Sequence, residues 1–598
     1  MISGDLDASP RTDALLGAAA GGVAGLVVGI VLAFQGRVDT TEPLWVTETA
    51  MGWLAYLFLA IAGGATYGTV YRFQPGRLAA SVGGGLLFGL LWWATVWLTA
   101  VPLVTASGPD WSITDASAVF PLLVASILFG AITATSFFVA STLLIGERAT
   151  TRQVAATNVP ISRRIVILGG GFGGVATAQR LERLLAHRPD VSVTLVSESN
   201  FLLFTPMLAE VASSSLVARH VAAPLRATCP RTTIRRATVE AIDVETRSVR
   251  IRASTDAQAE PLRYDELVVA VGAVPAFHSL PGVSERAFTL KSLADATNLR
   301  DHVIRILDRA ETEPEADARR RMLTFAVAGG GFAGVELVAQ LHDLVHGVLV
   351  YYPRIDVADL RFVLVHSRDR ILPELTYELG AYALQRLRRR GIEFALGVRV
   401  SGASRGEVSL SDGSSISTET FVWTAGNEPA ALARALAPDG DGRALVTDET
   451  LRVVGHEHVW AVGDCARIPD PDRAGKHCPP TAQHALRQGR QAAQNIVAAI
   501  DGRPPSPFRF TSLGMLVVLG RNTAAAEIRG LRFSGLFAWF LWRGIYLAKL
   551  PGFEKKVRVL ADWSLDLVFP RDIVVVGTTD APARGVPGVV ETEHERVA

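Results

Sequence analysis

The chain begins with long apolar runs and changes character near residue 160. Four stretches in the first part lack charged residues, and each exceeds the roughly 20 residues that a helix needs to cross a bilayer. The pattern predicts an all-α bundle of four transmembrane helices, within Ala14–Gly36, Thr49–Tyr71, Leu78–Pro109 and Ala116–Gly146.

The charges beside these stretches predict their orientation. Arg72 and Arg77 lie in the second connection and Arg148 follows the fourth stretch, whereas residues 108–115 contain acids and no base. Since basic loops favour the cytoplasmic side, we expect a multi-pass protein of the cell membrane whose N-terminus and remaining chain are cytoplasmic. The acidic start does not fit a signal peptide, so we expect the first helix to be retained.

Small residues recur at four-residue spacing inside the stretches, for example at Gly21 and Gly25 and at Gly85 and Gly89. This spacing predicts close helix packing in lipid. The two helical hairpins resemble each other weakly, as a duplicated two-helix unit would. No charge or histidine lies within the four stretches, which argues against an ion path.

A different pattern begins at Arg163. Apolar residues Ile165–Leu168 lead into a turn with Gly169, Gly171 and Gly174, and an amphipathic stretch and a second apolar run follow. Strand, glycine turn, helix and strand in this order predict a dinucleotide whose pyrophosphate lies at the helix N-terminus.

The same pattern returns 160 residues further on, with Gly329, Gly331 and Gly334 after the apolar run Leu323–Ala328. Two such units predict two dinucleotides, and the economical pairing is a tightly bound FAD with an exchangeable NADH or NADPH. The predicted fold is therefore α/β, with two Rossmann-like domains after the helical bundle.

Composition and charge exclude several classes of function. The 598 residues are 49% hydrophobic and 20% charged, and the mean hydropathy is +0.28, which agrees with a membrane-embedded part. The net charge of +1 argues against nucleic acid as a partner. Cys229, Cys465 and Cys478 form no C-x-x-C pair, so we expect neither a local zinc site nor a paired redox centre.

Five further segments of the second part are distinctive: Asn200–Leu208 (NFLLFTPML), Tyr264–Gly272 (YDELVVAVG), Trp423–Gly426 (WTAG), Trp460–Asp464 (WAVGD) and Pro480–Gly489 (PTAQHALRQG). These segments resemble the type II NADH dehydrogenases, which are non-pumping NADH:quinone oxidoreductases among the two-dinucleotide-binding-domain flavoproteins. The resemblance covers about Arg163–Pro570.

This resemblance implies roles for individual residues. It implies that Gly463 and Asp464 hold the ribityl part of FAD, and that Ala482 and Gln483 lie beneath the isoalloxazine, where Gln483 also meets a quinone. Arg487 occupies the position of a second family glutamine, and Gln488 follows it, so this chain departs from the pattern at the quinone site. Further cofactor contacts are implied at Gly272 and Gly426.

Both strands that should end in a ribose-binding acid depart from the pattern. At the FAD unit Ser197 takes that position and Glu198 follows, while at the nicotinamide unit the strand ends in His366, with Arg368 two residues on. Loss of a carboxylate removes the repulsion that excludes a 2′-phosphate, so we expect NADPH to be accepted. The alternative is that Arg368 is only a solvated loop charge.

Glu336 follows the second glycine turn. The resemblance implies a place near the nicotinamide pocket, in cofactor or quinone handling. An acid in the first turn of a helix is also favoured by the helix dipole alone, and both interpretations stay open.

The C-terminal part is aromatic and basic. Residues Phe537–Leu550 and the bases that follow, among them Lys555 and Arg558, predict a helix in the bilayer interface, with core packing as the alternative. The resemblance also implies a homodimer through this region.

The expected organisation is a transmembrane bundle (1–150), a linker (151–162), an FAD domain in two parts (163–321 and 426–507), a nicotinamide domain (322–425), a membrane-associating, quinone-access region (508–570) and a tail (571–598). Two alternatives stay open. One is a sulfide:quinone oxidoreductase, which would need Cys229 and Cys478 to meet at the flavin. The other is a transporter or sensor bundle served by the flavoprotein.

Overall fold

A computed structural model describes residues 10–34, 50–71, 78–100, 120–143, 160–254, 257–436, 444–471, 473 and 475–575. The chain divides into two compact units, 1–159 and 160–598, and each is described by itself. The loop charges from which the orientation is predicted, and the predicted tail beyond residue 575, lie outside the described residues.

The first unit contains helices α1 Pro10–Phe34, α2 Ala50–Val70, α3 Leu78–Trp92 and α4 Phe120–Ser141. Helix α3 continues as a π-helical segment, Trp93–Ala100. Helices α1, α2 and α4 are each long and apolar enough to cross a membrane, whereas the apolar part of α3 is shorter. Each predicted stretch thus contains one apolar helix, while the closed bundle and the number of spans stay predictions.

The first helix differs from its prediction at its start. It begins at Pro10 rather than at Ala14 and includes Asp13, whose side chain is buried. The predicted stretch itself contains no ionisable residue, but the helix starts one turn earlier and so includes Asp13 at its beginning. Asp13 lies in the first turn, where the helix dipole favours an acid, which explains why the helix extends past the charge.

The two hairpins of this unit pack by the same glycine contacts. A Cβ added to Gly64 on α2 would overlap the carbonyl oxygen of Gly17 on α1, and one added to Gly130 on α4 would overlap that of Gly85 on α3. The backbones therefore touch directly, which is the packing that small residues permit in lipid. The equivalent contacts support the duplicated two-helix unit.

The second unit contains twelve α-helices in its described residues: α5 Phe172–Leu184, α6 Leu208–Ala212, α7 Leu225–Thr228, α8 Val283–Arg286, α9 Leu293–Thr312, α10 Ala316–Met322, α11 Phe332–Val348, α12 Tyr377–Arg388, α13 Ala431–Ala435, α14 Ala482–Ile500, α15 Gly535–Lys549 and α16 Phe553–Val568. Its strands are β1 Arg163–Leu168, β2 Val191–Ser197, β3 Phe201–Leu203, β4 Ala222–Pro224, β5 Thr233–Arg236, β6 Thr238–Asp243, β7 Ser248–Arg252, β8 Glu260–Arg263, β9 Glu266–Val269, β10 Ala273–Pro275, β11 Thr324–Ala328, β12 Arg361–His366, β13 Ile392–Leu396, β14 Val400–Ser404, β15 Glu407–Leu410, β16 Ser415–Ser417, β17 Thr420–Trp423, β18 Asn427–Pro429, β19 Leu445–Val446, β20 Val459–Ala461, β21 Ala466–Arg467, β22 Gly514–Val518, β23 Ala524–Ile528 and β24 Leu531–Ser534.

Two parallel sheets organise this unit. The first has the strand order β20-β9-β1-β2-β5 and the second has the order β13-β12-β11-β17. In β1, Ile165 and Ile167 belong to one hydrophobic core while Val166 and Leu168 belong to another, so both faces of the strand are covered. Strand β11 alternates in the same way between two cores. This is why both strands are continuous apolar runs, and the predicted α/β fold is confirmed.

Helix α11 is also apolar enough to be a membrane span by composition alone. Its apolar residues, such as Val335, Leu341 and Val345, are fully buried in the core beside β11, so its composition follows from the packing of the second sheet. The antiparallel strands β22, β23 and β24 and the helix α15 complete this core, to which Trp539, Trp542 and Trp563 contribute.

A glycine substitution tests the hairpin packing. We expect Gly64→Ala to destabilise the first unit by roughly 1–3 kcal/mol or more, because the added methyl group would overlap backbone that cannot move aside. The control is Gly22→Ala, whose Cβ would lie 3.4 Å from the flexible Ile61 side chain. Thermal unfolding in detergent measures both variants, and equal melting temperatures would contradict the packing.

Candidate active site

The first glycine turn joins β1 to α5. Gly169 has a φ of +108°, which a side chain would strain, and a Cβ added to Gly174 would overlap the carbonyl oxygen of Gly169. A Cβ on Gly171 would meet nothing within 4 Å. The turn therefore brings the helix start against the strand end and leaves space beside the first N–H groups, where a phosphate can approach.

The second turn repeats this geometry between β11 and α11. Gly329 has a φ of +117°, a Cβ on Gly334 would overlap the Gly329 carbonyl oxygen, and one on Gly331 would meet nothing within 4 Å. The residues before the two helices have nearly the same conformation, with φ and ψ of −80° and −170° at Gly171 and −81° and −173° at Gly331. The residues of both turns fit a dinucleotide.

Ser197 ends β2 and Glu198 follows it, but the two side chains lie in different surroundings. Ser197 is buried beneath the first turn, where its hydroxyl would lie 2.7 Å from a Cβ added to Gly170. Glu198 is exposed, and its backbone carbonyl accepts a hydrogen bond from Arg236 at 3.2 Å. The side chain nearest the turn is therefore the neutral hydroxyl.

At the end of β12, His366 lies beneath the second turn. The Gly330 N–H donates to its Nδ1 at 3.0 Å, so a neutral ring carries its hydrogen on Nε2. Burial, with the charge of nearby Arg368 as a second cause, lowers the pKa of His366 below its usual value. The ring is thus neutral near pH 7, and the Arg368 side chain is exposed.

Asp464 and Lys291 are two charged side chains that interact electrostatically beside Gly463. Burial raises the pKa of Asp464, whereas the nearby ammonium group of Lys291 lowers it. Burial lowers the pKa of Lys291 and Asp464 opposes that shift. Gly463 has a φ of +77° and contributes to a cavity of about 340 Å³ together with Asp464, His484 and Gln488.

Sequence reasoning missed Lys291. The signal that could have located it is the capping box that begins α9, in which Ser292 and Asp295 exchange hydrogen bonds, because this cap fixes the residue just before it. Two further predicted glycines lie in left-handed turns, Gly272 at a φ of +69° and Gly426 at +117°.

Helix α14 carries the predicted flavin and quinone residues, beginning with Ala482. Gln483 donates from Nε2 to the Gly514 carbonyl at 2.8 Å, and its buried Oε1 has no partner among the described residues. Arg487 donates to the Gln483 carbonyl at 3.0 Å, and its guanidinium lies 4.0 Å from the centre of the Phe510 ring. Gln483 and Arg487 therefore share one face of the helix.

Gln488 does not replace the family glutamine at position 487. It is buried, and its Oε1 accepts the Gly463 N–H at 2.9 Å, so it supports the turn beside Asp464 instead. A Cβ on the next residue, Gly489, would overlap the Gly173 carbonyl oxygen. Helix α14 thus packs directly on α5, which fixes Gln483 relative to the first glycine turn.

Glu336 is the fifth residue of α11 and lies beyond its first turn, so the expected first-turn position, favoured by the helix dipole, is wrong. Its Oε1 accepts the Val518 N–H at 3.1 Å. Burial is the main cause that raises its pKa to about 8, with the charge of Glu210 as a further cause. Tyr546 is close enough to interact with it electrostatically. The Tyr546 ring lies 6.0 Å from that of Phe204, which lies 5.8 Å from that of Phe172 at the first turn. Aromatic side chains thus link Glu336 to the start of α5.

The cysteines do not favour sulfur chemistry. Burial raises the pKa of Cys229 to about 12, and it raises the pKa of Cys465 and that of Cys478 to about 11. All three are free thiols. Since the thiolate is the reactive form, these residues offer little to a sulfide-oxidising site.

Comparison with known proteins decides the family. Residues 163–489 match the family of pyridine nucleotide-disulphide oxidoreductases, and residues 513–572 match the NDH2 C-terminal domain. The type II NADH:quinone oxidoreductase Ndh of Mycobacterium tuberculosis is 30% identical over 437 residues, which cover 70% of this chain and 91% of that protein. The chain belongs to the type II NADH:quinone oxidoreductase family. The resemblance inferred from the motifs is confirmed, and the protein is an oxidoreductase.

Other known proteins are similar to this chain in sequence or in fold. The demethylphylloquinone reductase NdbB of Synechocystis is 30% identical over 409 residues, 67% of this chain and 95% of that protein. NDH2 of Plasmodium falciparum, solved in complex with NADH, has the same fold with a TM-score of 0.65 and 19% identity over 69% of this chain and 100% of that one. The sulfide:quinone oxidoreductase of Aquifex aeolicus shares the fold at a TM-score of 0.52 and 17% identity, over 68% of this chain and 96% of that one. Fold alone therefore does not separate the two activities.

Proposed function

We propose that the protein passes a hydride from NADH or NADPH to FAD and then passes two electrons to a membrane quinone, without pumping protons. The observation that carries this proposal is the repetition of one glycine-turn geometry in two parallel sheets of a chain of this family. Bound FAD would supply the redox chemistry that connects the two substrates. The side chains then bind, orient and exclude water.

The turn at Gly169, Gly171 and Gly174 would hold the FAD pyrophosphate at the start of α5. Ser197 is better placed than the exposed Glu198 to meet the adenosine ribose. The remaining proposed contacts are Gly272, Gly463, Asp464, Ala482 and Gln483. The raised pKa of Asp464 agrees with this role, because a buried carboxylate needs hydrogen-bond donors and the hydroxyls of a sugar chain provide them.

The second turn would hold the nicotinamide dinucleotide, with Gly329, Gly331 and Gly334 at its pyrophosphate and with Gly426 and Glu336 toward the nicotinamide. His366 would face the adenosine ribose with a neutral N–H donor, and Arg368 would pair with a 2′-phosphate. This arrangement favours acceptance of NADPH beside NADH.

The quinone would meet the shared face of Gln483 and Arg487. The unpartnered Gln483 Oε1 leaves an acceptor at this face, and the Arg487 cation would stabilise negative charge that develops on a quinone oxygen. Glu336 would provide a protonated carboxyl near neutral pH. The aromatic side chains between them would exclude water.

Membrane association would come from both units. Helices α15 and α16 present exposed apolar side chains (Leu536, Phe537, Phe540, Leu560, Leu565 and Val568) beside Lys549, Lys555, Lys556 and Arg558. That combination suits a helix pair in the bilayer interface, although Trp539 and Trp542 on α15 pack in the core. We propose four spans with a cytoplasmic N-terminus, and a homodimer stays a prediction.

Separate half-reactions test the proposed function. We expect NADH and NADPH each to bleach the flavin of the purified protein under anaerobic conditions, and a naphthoquinone or benzoquinone to restore its colour. Stopped-flow absorbance measures both steps. Bleaching by sulfide but by neither nicotinamide would contradict the proposal and favour the sulfide-oxidising alternative.

A change at the second strand end tests nucleotide selection. We expect His366→Glu to lower the ratio of kcat/KM for NADPH to that for NADH by roughly 10- to 100-fold, because the new carboxylate would repel a 2′-phosphate. The control is Arg405→Ser, which removes an exposed charge elsewhere in the same domain. Strict NADH use by the unchanged protein would already contradict the role given to His366.

A change on α14 tests the quinone face. We expect Arg487→Gln to reduce kcat/KM for quinone by about tenfold, because the cation beside the acceptor is lost, while anaerobic flavin reduction by NADH keeps its rate. Arg490→Gln on the exposed side of the same helix is the matched control. An equal loss in both half-reactions would show that Arg487 supports the helix rather than the quinone.

A further inference from the structure

A second buried carboxylate, Glu210 on α6, lies outside the proposed cofactor and quinone contacts. Its Oε1 accepts a hydrogen bond from Trp563 Nε1 at 3.1 Å, and its Oε2 is buried without a partner among the described residues. Burial is the main cause that raises its pKa to about 7. None of the proposed roles so far uses this group.

Charged groups from several elements surround Glu210. Arg543 on α15, Asp566 on α16 and Arg571 after α16 each affect it electrostatically, as does the second acid, Glu336 on α11. The ring of Trp563, which donates to Glu210, lies 6.2 Å from the ring of Trp542, and the Trp542 ring lies 4.6 Å from that of Tyr546 beside Glu336. Arg571 and Asp566 pair at 3.0 Å with only 7% of each side chain exposed.

This cluster joins the C-terminal region to the nicotinamide domain. Arg571 donates to the backbone carbonyls of Ser213 at 3.1 Å and Gln340 at 3.2 Å, and the Ser213 hydroxyl donates to the Gln340 side chain at 3.1 Å. Exposed Arg521 donates to the backbone carbonyl of Asp566. The cluster therefore extends from the neighbourhood of Glu336 to the protein surface.

Reduction of a quinone by NAD(P)H needs one proton from solvent. The nicotinamide supplies two electrons and one proton as a hydride, whereas the quinol carries two protons. In the proposed site, aromatic side chains and lipid would exclude water from the quinone, so ionisable side chains would carry the second proton.

We propose that Glu210 is the proton reservoir that recharges Glu336 during quinone reduction. A proton leaves the Glu336 carboxyl for the quinone oxygen, the Glu336 carboxylate takes a proton from Glu210, and Glu210 is reprotonated from water through the surface side of its cluster. This inference rests on the proposed function. It gives Glu210 a positioning and proton-holding role without direct contact to quinone.

Two substitutions with opposite expected effects test the relay. Glu210→Gln keeps the shape and an acceptor for Trp563 but holds no transferable proton, so we expect flavin reoxidation by a short-chain quinone to slow by at least about tenfold. Because removal of the Glu210 charge also lowers the pKa of Glu336, the pH at which the rate declines should move downward. Trp563→Phe removes the hydrogen bond that lowers the Glu210 pKa, so the decline should move to higher pH.

The measurement is stopped-flow reoxidation of the reduced full-length protein across pH, with Glu240→Gln on the exposed surface as a control. In the unchanged protein the rate should decline as the pH rises through about 7 to 8, since both carboxyls must be protonated to donate. Wild-type rate and pH dependence in Glu210→Gln, or shifts of both variants in one direction, would overturn the relay. Failure of the unchanged protein to be reduced by nicotinamide or reoxidised by quinone would instead overturn the proposed function.

Discussion

The close approach of Gly174 to the carbonyl of Gly169, and of Gly334 to that of Gly329, is the constraint on which the site depends. Each contact brings the start of a helix against the end of a strand, and a single methyl group would separate them. The third helix of the site follows from the first, because Gly489 places α14 against Gly173 on α5. The positions of Gln483 and Arg487 are therefore consequences of backbone contacts that only glycine allows.

Helices α15 and α16 of the C-terminal region cover two buried acids with one face and expose apolar side chains on the other. The inner faces of α15 and α16 place Trp542 and Trp563 in the core and cover Glu336 and Glu210, while their outer faces expose aliphatic and aromatic side chains beside lysines. Covering the acids raises both pKa values, because a charged carboxylate is costly away from water. The same helices that suit a membrane surface thus set the protonation of the acids beneath them.

The sequence predicts the features that are local. The glycine turns, the buried strands and the helix that carries Gln483 are each encoded within about 30 residues, so spacing alone locates them. Lys291, Glu210 and the support of Gly463 by Gln488 depend on contacts between distant segments, which spacing does not report. Alternation along β2 could have separated buried Ser197 from exposed Glu198, since neighbouring residues of a strand face opposite ways. The apolar composition of α11 shows the converse, because core packing and membrane spanning produce the same pattern.

Both strand ends that would ordinarily carry an acid instead carry a neutral polar side chain in the same place beneath a turn. At the second turn this replacement does more than remove a charge. The Gly330 N–H is taken by His366 Nδ1, which fixes the orientation of the ring and assigns the remaining hydrogen to Nε2. A carboxylate in that place would accept hydrogen bonds from ribose hydroxyls and repel a 2′-phosphate. The neutral imidazole would instead donate a hydrogen bond from Nε2, and it carries no charge that would repel a phosphate. In the proposed function, selection between the two nicotinamide dinucleotides would depend on the exposed Arg368, whose charge the solvent screens, so we expect weak discrimination.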